Sequence, residues 1–78
     1  MNNEITLDLS GLLCPLPVLK ARKKLLQMSA GEVLHVIATD PMAAIDMPHF
    51  CNEQDYELLS QERRDNKLIF KIRKAPSP

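Results

Sequence analysis

The chain changes from strand to helix within one short segment, GLLCPLP at residues 11–17. Before it, Ile5 to Leu9 alternate apolar and polar side chains, which is the pattern of a half-buried strand. After it, from Pro15 to about Met28, apolar residues recur at helical spacing. Two prolines are costly inside a helix but are tolerated in its first turn. The segment therefore predicts a strand, a tight turn and a helix that opens on the prolines.

The remaining segments predict a second helix and three more strands. Val33 to Thr39 is a nearly continuous apolar run, typical of an interior and parallel strand. Asp40-Pro41 predicts a helix start, and the second helix covers Met42 to about Gln54. We expect Pro48 to kink or restart that helix near Asp46. Two strands follow at 56–62 and 67–73, joined by residues 63–66.

The element order β-α-β-α-β-β predicts an α+β fold. Both helices must cover one face of a four-stranded mixed sheet, which is a two-layer α/β sandwich. One domain is expected over residues 1–74, with a disordered tail at 75–78. The residues predicted to face the core are, on the first helix, Val18, Leu19, Ala21, Leu25, Leu26 and Met28 and, on the last strand, Leu68, Phe70 and Ile72.

Composition excludes several classes of protein. With 78 residues the chain can bury only a small core, so an active residue must lie at the surface. Ten basic residues balance ten acidic ones, and whole-protein attraction to nucleic acid is therefore not indicated. We expect no signal peptide, and the sequence contains no apolar run of the ~18 residues that a membrane span needs. We expect a cytoplasmic protein that does not contact membranes.

The sequence has two cysteines, Cys14 and Cys51, and no CxxC pair. In the cytoplasm both are expected to be reduced, and Cys51, beside Phe50 on the second helix, is interpreted as a core residue. Cysteine and histidine also lack the paired short spacings of zinc modules, so no metal site is predicted. His35 and His49 are expected to be structural or solvated, which leaves no evident general base.

Cys14 is predicted to be the N-cap of the first helix. Its thiol would then lie beside unpartnered amides and the positive end of the helix dipole. Both effects stabilise a thiolate, the nucleophilic form of cysteine, and Pro15 and Pro17 fix the backbone that presents it. Free cysteine is often a small core residue, but two prolines at the start of a helix favour an active thiol.

Asp40 is expected at the same edge of the sheet as Cys14. A β-α-β crossover makes its two strands parallel, so their carboxyl ends share the edge where open α/β sheets place their sites. Asp40 is interpreted first as a helix cap. Because its negative charge opposes thiolate formation, a partner-docking role suits it better than activation of Cys14.

The motif Cys14-Pro15-Leu16-Pro17 resembles the CPxP hallmark of the TusA family of sulfur carriers, also called SirA-like or YedF-like. The similarity extends from about residue 5 to residue 74. Leu7-Asp8 and Gly11-Leu12 match before the motif, and residues 17–23 continue it. Gly31-Glu32 before the second strand, Asp40-Pro41 after it, and residues 46–51 match as well.

The resemblance implies a shuttle of sulfur between proteins. Cys14 would accept sulfur from a cysteine desulfurase as a persulfide and deliver it to a cysteine of an acceptor protein. In one branch the sulfur reaches 2-thiouridine of tRNA, and other branches serve molybdenum-cofactor maturation or sulfur oxidation. Pyridoxal phosphate belongs to the donor, so no cofactor is expected. Leu16, Arg22 and Asp40 are predicted to dock partners, and the carrier is expected to be a monomer.

Two alternatives remain open at this point. The element order also resembles the carboxyl-terminal domain of a translation initiation factor, which would suit an RNA-binding or regulatory module without chemistry. The second face of the sheet could carry Lys67, Lys71 and Arg73, with Arg63 and Arg64 nearby. Acidic neighbours and an aromatic content of 4% argue against that function. A redox sensor would need a Cys14–Cys51 bridge, with Cα atoms within about 7 Å.

Overall fold

The first two strands lie side by side because a helix returns the chain across the sheet. In the computed structural model, which describes residues 4–74, β1 (Glu4–Leu9) leads to α1 (Leu16–Gln27) and then to β2 (Val33–Ala38). Strands β1 and β2 pair in parallel, with Leu9 opposite Ala38. Their carboxyl ends therefore meet at one edge of the sheet, as the crossover rule predicts.

The second half of the chain completes a mixed sheet. Helix α2 (Ala43–Glu53) leads to β3 (Glu57–Arg64), and a two-residue turn joins β3 to β4 (Lys67–Arg73). Strand β4 lies antiparallel to both β2 and β3, which gives the order β1-β2-β4-β3. The predicted α+β sandwich is confirmed. The predicted tail at 75–78 lies outside the described residues.

One face of the sheet forms the core with both helices. Alternate residues of β2 and β4 are buried in register, with Leu34 opposite Ile72 and Val36 opposite Phe70. The buried cluster also includes residues from both helices, which places α1 and α2 on the same side of the sheet: Ala21, Leu25, Ala43, Met47, Phe50 and Cys51. The inward positions predicted for Leu68, Phe70 and Ile72 are confirmed.

Helix α1 buries a narrower stripe than predicted. Its buried residues are Pro17, Ala21 and Leu25, and they are spaced four apart, as expected where a helix lies on a sheet. Leu19 and Leu26 are 53% and 57% exposed. The predicted apolar arc was too broad, because no second layer covers the outer side of this helix.

Helix α2 is continuous through Pro48. Of the two outcomes expected near Asp46, a kink or a restart, the restart is therefore wrong. Proline has no N–H to donate to the carbonyl four residues earlier, which here belongs to Ala44. The side chain of Gln61, on β3, donates a hydrogen bond from Nε2 to that carbonyl at 3.2 Å. The sheet thus satisfies the acceptor that the proline leaves unpaired.

Helix length also bears on the membrane prediction. No helix within residues 4–74 has the length and apolar character needed to cross a bilayer.

Candidate active site

The loop between β1 and α1 is tied to the end of β2. Gly11 has a φ of 86°, a conformation that glycine adopts without steric cost. Its N–H donates to Oγ1 of Thr39 at 2.8 Å, and the N–H of Leu12 donates to the carbonyl of Leu9 at 3.2 Å. These bonds fix the turn that leads to Cys14.

Asp40 joins the starts of the two helices. One carboxylate oxygen accepts the backbone N–H of Cys14 at 2.6 Å, and the other accepts the N–H of Met42 at 3.1 Å. The predicted proximity of Cys14 and Asp40 is therefore confirmed. The residue in the cap position of α2 is Met42. Asp40 lies two residues earlier and caps the turn that leads into the helix.

The predicted docking role of Asp40 does not fit its environment. Asp40 is only 8% exposed, and each of its carboxylate oxygens already accepts a backbone hydrogen bond. A buried carboxylate with these bonds has little surface to offer a partner. We assign Asp40 a positioning role, which is to hold the backbone of Cys14 against the start of α2.

The thiol of Cys14 is exposed and contacts a residue that the sequence did not single out. Its Sγ donates a hydrogen bond to Oδ2 of Asp46 at 3.0 Å. Asp46 lies in the first turn of α2, and the two helices start at the same edge of the sheet. The shared edge predicts that the first turn of α2 lies near Cys14, but it does not tell which side chain of that turn reaches the thiol.

The expected stabilisation of a Cys14 thiolate is wrong. The hydrogen bond to Asp46 raises the pKa of Cys14, and partial desolvation and the charges of Asp46 and Asp40 raise it further. Helix α1 starts at Leu16 with Pro15 in the cap position, so Cys14 lies one residue before the observed cap and is not the N-cap as predicted.

The amides expected to favour the thiolate are also missing. Pro15 and Pro17 have no N–H, and the N–H of Leu16 donates to the carbonyl of Leu13 at 2.9 Å. The first two positions of the helix, Leu16 and Pro17, therefore offer the sulfur no free N–H. The two prolines do stand at the start of the helix, as predicted, and the Cys14–Pro15 peptide bond is cis.

An open groove between the two helices begins at Cys14. Its volume is about 310 Å³, and its lining combines a thiol, an imidazole and two carboxylates with apolar residues: Cys14, Pro15, Val18, Asp46, His49, Phe50 and Glu53. His49 is exposed and lies 3.0 Å from Glu53, four residues later on α2. His49 is solvated, as predicted, but the fold also brings it to the groove of Cys14.

Apolar side chains surround the site at the surface. Leu13 and Leu16 flank the cysteine in sequence, and Met42 and Ile45 lie beside Asp40 and Asp46. All four are exposed, Leu13 to 68% and Ile45 to 65%. Exposed apolar residues next to a reactive group are typical of a surface that binds another protein. Arg22 is exposed on α1 and does not line the groove.

Cys51 differs from Cys14 in its surroundings. It is 2% exposed within the core, as predicted, and burial raises its pKa to about 11. In the part of the chain that the structure describes, no group of three or more histidine, cysteine or acidic residues is placed to hold a metal ion.

The basic patch considered for RNA binding is partly neutralised. Arg73 donates from Nε to Glu57 at 3.0 Å, and Arg64 lies 3.6 Å from Glu62. Ion pairs across and along β3 and β4 reduce the positive field that the backbone of RNA would meet. This face of the sheet therefore gives little support to the RNA-binding alternative.

Comparisons with known proteins agree with the resemblance. The family model for sulfurtransferase TusA matches residues 5–74. A protein named sulfur carrier protein TusA from Allochromatium vinosum is 48% identical over 69 residues, which are 88% of this chain and 91% of the relative. One of the same name from Pseudomonas entomophila is 43% identical over 72 residues, covering 92% and 90%.

A solved structure agrees as well. The crystal structure of a SirA-like protein from Desulfitobacterium hafniense superposes with a TM-score of 0.76 at 27% identity, covering 94% of this chain and 99% of that one. Fold, motif and sequence similarity thus extend over nearly the whole chain. The chain belongs to the TusA family of sulfurtransferases.

Proposed function

We propose that this protein is a sulfur carrier that receives sulfur on Cys14 as a persulfide and passes it to a cysteine of another protein. The observation that carries the proposal is the exposed thiol of Cys14, held by a backbone that Asp40 and the prolines fix at the open edge of the sheet. The names of the relatives support the same function.

Loading is an exchange reaction at a sulfur atom. The thiolate of Cys14 attacks the outer sulfur of a donor persulfide. A bond forms between Sγ of Cys14 and that sulfur as the S–S bond of the donor breaks. The donor cysteine leaves as a thiolate and takes up the proton that Cys14 lost. One S–S bond replaces another, so the step needs neither an oxidant nor a reductant. Delivery is the same exchange, with the acceptor cysteine as the attacking thiolate.

The donor we propose is a cysteine desulfurase, whose pyridoxal phosphate generates the persulfide. The carrier itself then needs no cofactor. The acceptor is a protein cysteine in a pathway of tRNA 2-thiouridine synthesis or in another pathway of sulfur transfer. We place this exchange in the cytoplasm, where thiols stay reduced, and propose that residues 1–74 act as a single-domain monomer that meets its partners one at a time.

The surface around Cys14 suits such partners. Leu16 is exposed beside the thiol, and with Leu13 and Ile45 it forms an apolar rim that a partner can cover. Arg22 is exposed farther along α1, and arginine is enriched in protein interfaces. We propose that Leu16 and Arg22 contact the donor, while Pro15 and Pro17 fix the backbone beneath the sulfur.

Intact-mass measurement tests the proposal. The purified protein is incubated with a cysteine desulfurase, L-cysteine and pyridoxal phosphate, and its mass is measured without reductant. We expect one added sulfur atom in the wild type, in which Cys14 is the exposed thiol. Cys14→Ser should take up none, and the matched variant Cys51→Ser should load like the wild type, because the side chain of Cys51 is buried.

Two outcomes would overturn the proposal. One is that no competent desulfurase loads the protein, and the other is that the added sulfur lies on Cys51. If either is found, the RNA-binding module becomes the leading function. That module predicts RNA binding that weakens with salt and is unchanged in Cys14→Ser.

A further inference from the structure

We propose that Asp46 is a positioning residue that keeps Cys14 as a neutral thiol in the free carrier, so that sulfur moves only when a partner engages the site. This inference rests on the proposed function of Cys14. The carrier role alone does not require that the thiol stay protonated between partners. Asp46, on α2 and 32 positions from Cys14 in sequence, has that function here.

The contact between Asp46 and Cys14 is direct. The S–H of Cys14 donates a hydrogen bond to Oδ2 of Asp46, with 3.0 Å between Sγ and the oxygen, within the accepted range for a hydrogen bond that involves sulfur. A carboxylate in this position accepts the S–H but would repel a thiolate, since the two anions would lie side by side. The same bond fixes the direction in which the sulfur points.

The other charged groups near the thiol do not offset Asp46. Asp40 adds a second negative charge from the turn before α2. On α2, His49 and Glu53 both line the groove. They pair with each other, with 3.0 Å between Nε2 of His49 and Oε1 of Glu53. The α1 side of the groove contributes the apolar residues Pro15 and Val18. The groove therefore has an acidic balance, with the imidazole as its one basic group among the described lining residues.

The first consequence is low reactivity of the unloaded carrier. The thiolate is the form that attacks electrophiles and oxidants. Because Asp46 favours the protonated form, Cys14 is protected in the free protein although its side chain is exposed. An exposed thiol that stays unreactive between partners is an advantage for a carrier.

The second consequence concerns the loaded carrier. When an acceptor takes the outer sulfur, Cys14 must leave as a thiolate, and a thiol of higher pKa is the poorer leaving group. The carboxylate of Asp46 opposes that departure for the same electrostatic reason that it opposes attack. The sulfur is then retained against small thiols in solution.

A partner can remove this control by contacting Asp46. Asp46 is only half-buried, whereas Asp40 is buried and already accepts two hydrogen bonds. A lysine or arginine of the partner that pairs with the carboxylate of Asp46 would neutralise it and free the thiol to ionise. The chemistry of the site therefore selects partners that present a cation beside their own cysteine.

Alkylation by iodoacetamide, an uncharged reagent, tests the first consequence in the intact protein. The rate at Cys14 is measured against pH for the wild type, Asp46→Asn and Asp46→Ala. Both substitutions remove the charge, so the pH profile should move to lower pH and the rate at pH 7 should rise by roughly 3-fold or more. Glu53→Gln is the matched control, because Glu53 lines the groove but pairs with His49. Its profile should match the wild type.

Release of sulfur tests the second consequence. Wild type and Asp46→Asn are loaded with sulfur, exposed to dithiothreitol, and followed by intact mass, with thermal unfolding to confirm that both are folded. We expect faster loss from Asp46→Asn. Profiles that do not move, or that move equally in Glu53→Gln, would overturn the role of Asp46. If no variant takes up sulfur but the alkylation profile still shifts, the proposed function fails while the control of the thiol by Asp46 stands.

Discussion

Cys14 and Cys51 both have a pKa above that of an ordinary cysteine, but the two surroundings raise it by different means. At Cys14 the largest cause is the hydrogen bond to the carboxylate of Asp46, and the thiol remains exposed. At Cys51 the cause is burial, which raises the pKa to about 11. A partner can reverse the first effect by engaging Asp46, whereas only unfolding reverses the second.

This difference separates the thiol that we propose carries sulfur from the structural one better than pKa alone. A high pKa is commonly taken as a sign of an inert cysteine. In this protein the exposed cysteine with a raised pKa lies at the carboxyl edge of two parallel strands, beside an accessible carboxylate. A raised pKa therefore marks a functional thiol rather than an inert one when another molecule can remove the cause of the shift.

Labelling in the native state should give the largest contrast between the two thiols. Cys14 should react with iodoacetamide in the folded protein, while Cys51 reacts only through unfolding. A stability of about 5 kcal/mol makes the second route slower by at least about 1,000-fold. Peptide mapping after timed labelling measures both rates, and guanidinium should abolish the difference. Comparable rates in the folded protein would mean that Cys51 is not a core residue.

A smaller contrast is expected between the two carboxylates near Cys14. Asp40→Ala leaves the N–H groups of Cys14 and Met42 without their acceptor, and should lower the free energy of unfolding by about 2 kcal/mol. Asp46→Ala loses an acidic residue from the first turn of α2 and should cost about 0.5 kcal/mol. Urea denaturation measures both values. Equal losses would mean that Asp46 is structural rather than a control on the thiol.

Most of the fold could be predicted because each segment has one dominant period. The alternation of β1 and β4 and the apolar run of β2 correspond to the observed strands, and the right-handed crossover rule then brings Cys14 to Asp40. One error arose where a tertiary contact offsets a local rule. Pro48 does not interrupt α2, because Gln61 from β3 supplies a donor to the carbonyl of Ala44.

The site was predicted less completely than the fold, for physical reasons. Cys14 could be found from its prolines, but Asp46 could not, because which side chain of α2 reaches the thiol depends on where that helix starts. The position before α2 is occupied by Met42, two residues later than predicted. The thiolate prediction failed mainly because the S–H of Cys14 is hydrogen-bonded to the carboxylate of Asp46, which raises the pKa of the thiol. The sequence showed only a lesser reason, which is that Pro15 and Pro17 have no N–H to offer the sulfur.

Stability at alkaline pH should give a third contrast between the two thiols. Burial raises the pKa of Cys51 from 9.0 to about 11, so in the unfolded chain this thiol ionises at lower pH than in the native protein. Its contribution to stability is complete below about pH 9 and is lost as the pH rises towards 11.

Urea midpoints over that range should fall more steeply for the wild type than for Cys51→Ala. The matched variant Cys14→Ala should retain the part of the decline that Cys51 causes, because Cys51 is intact in it. If Cys51→Ala declines as steeply as the wild type, other groups dominate alkaline unfolding, and the burial of Cys51 does not distinguish it from Cys14 in this respect.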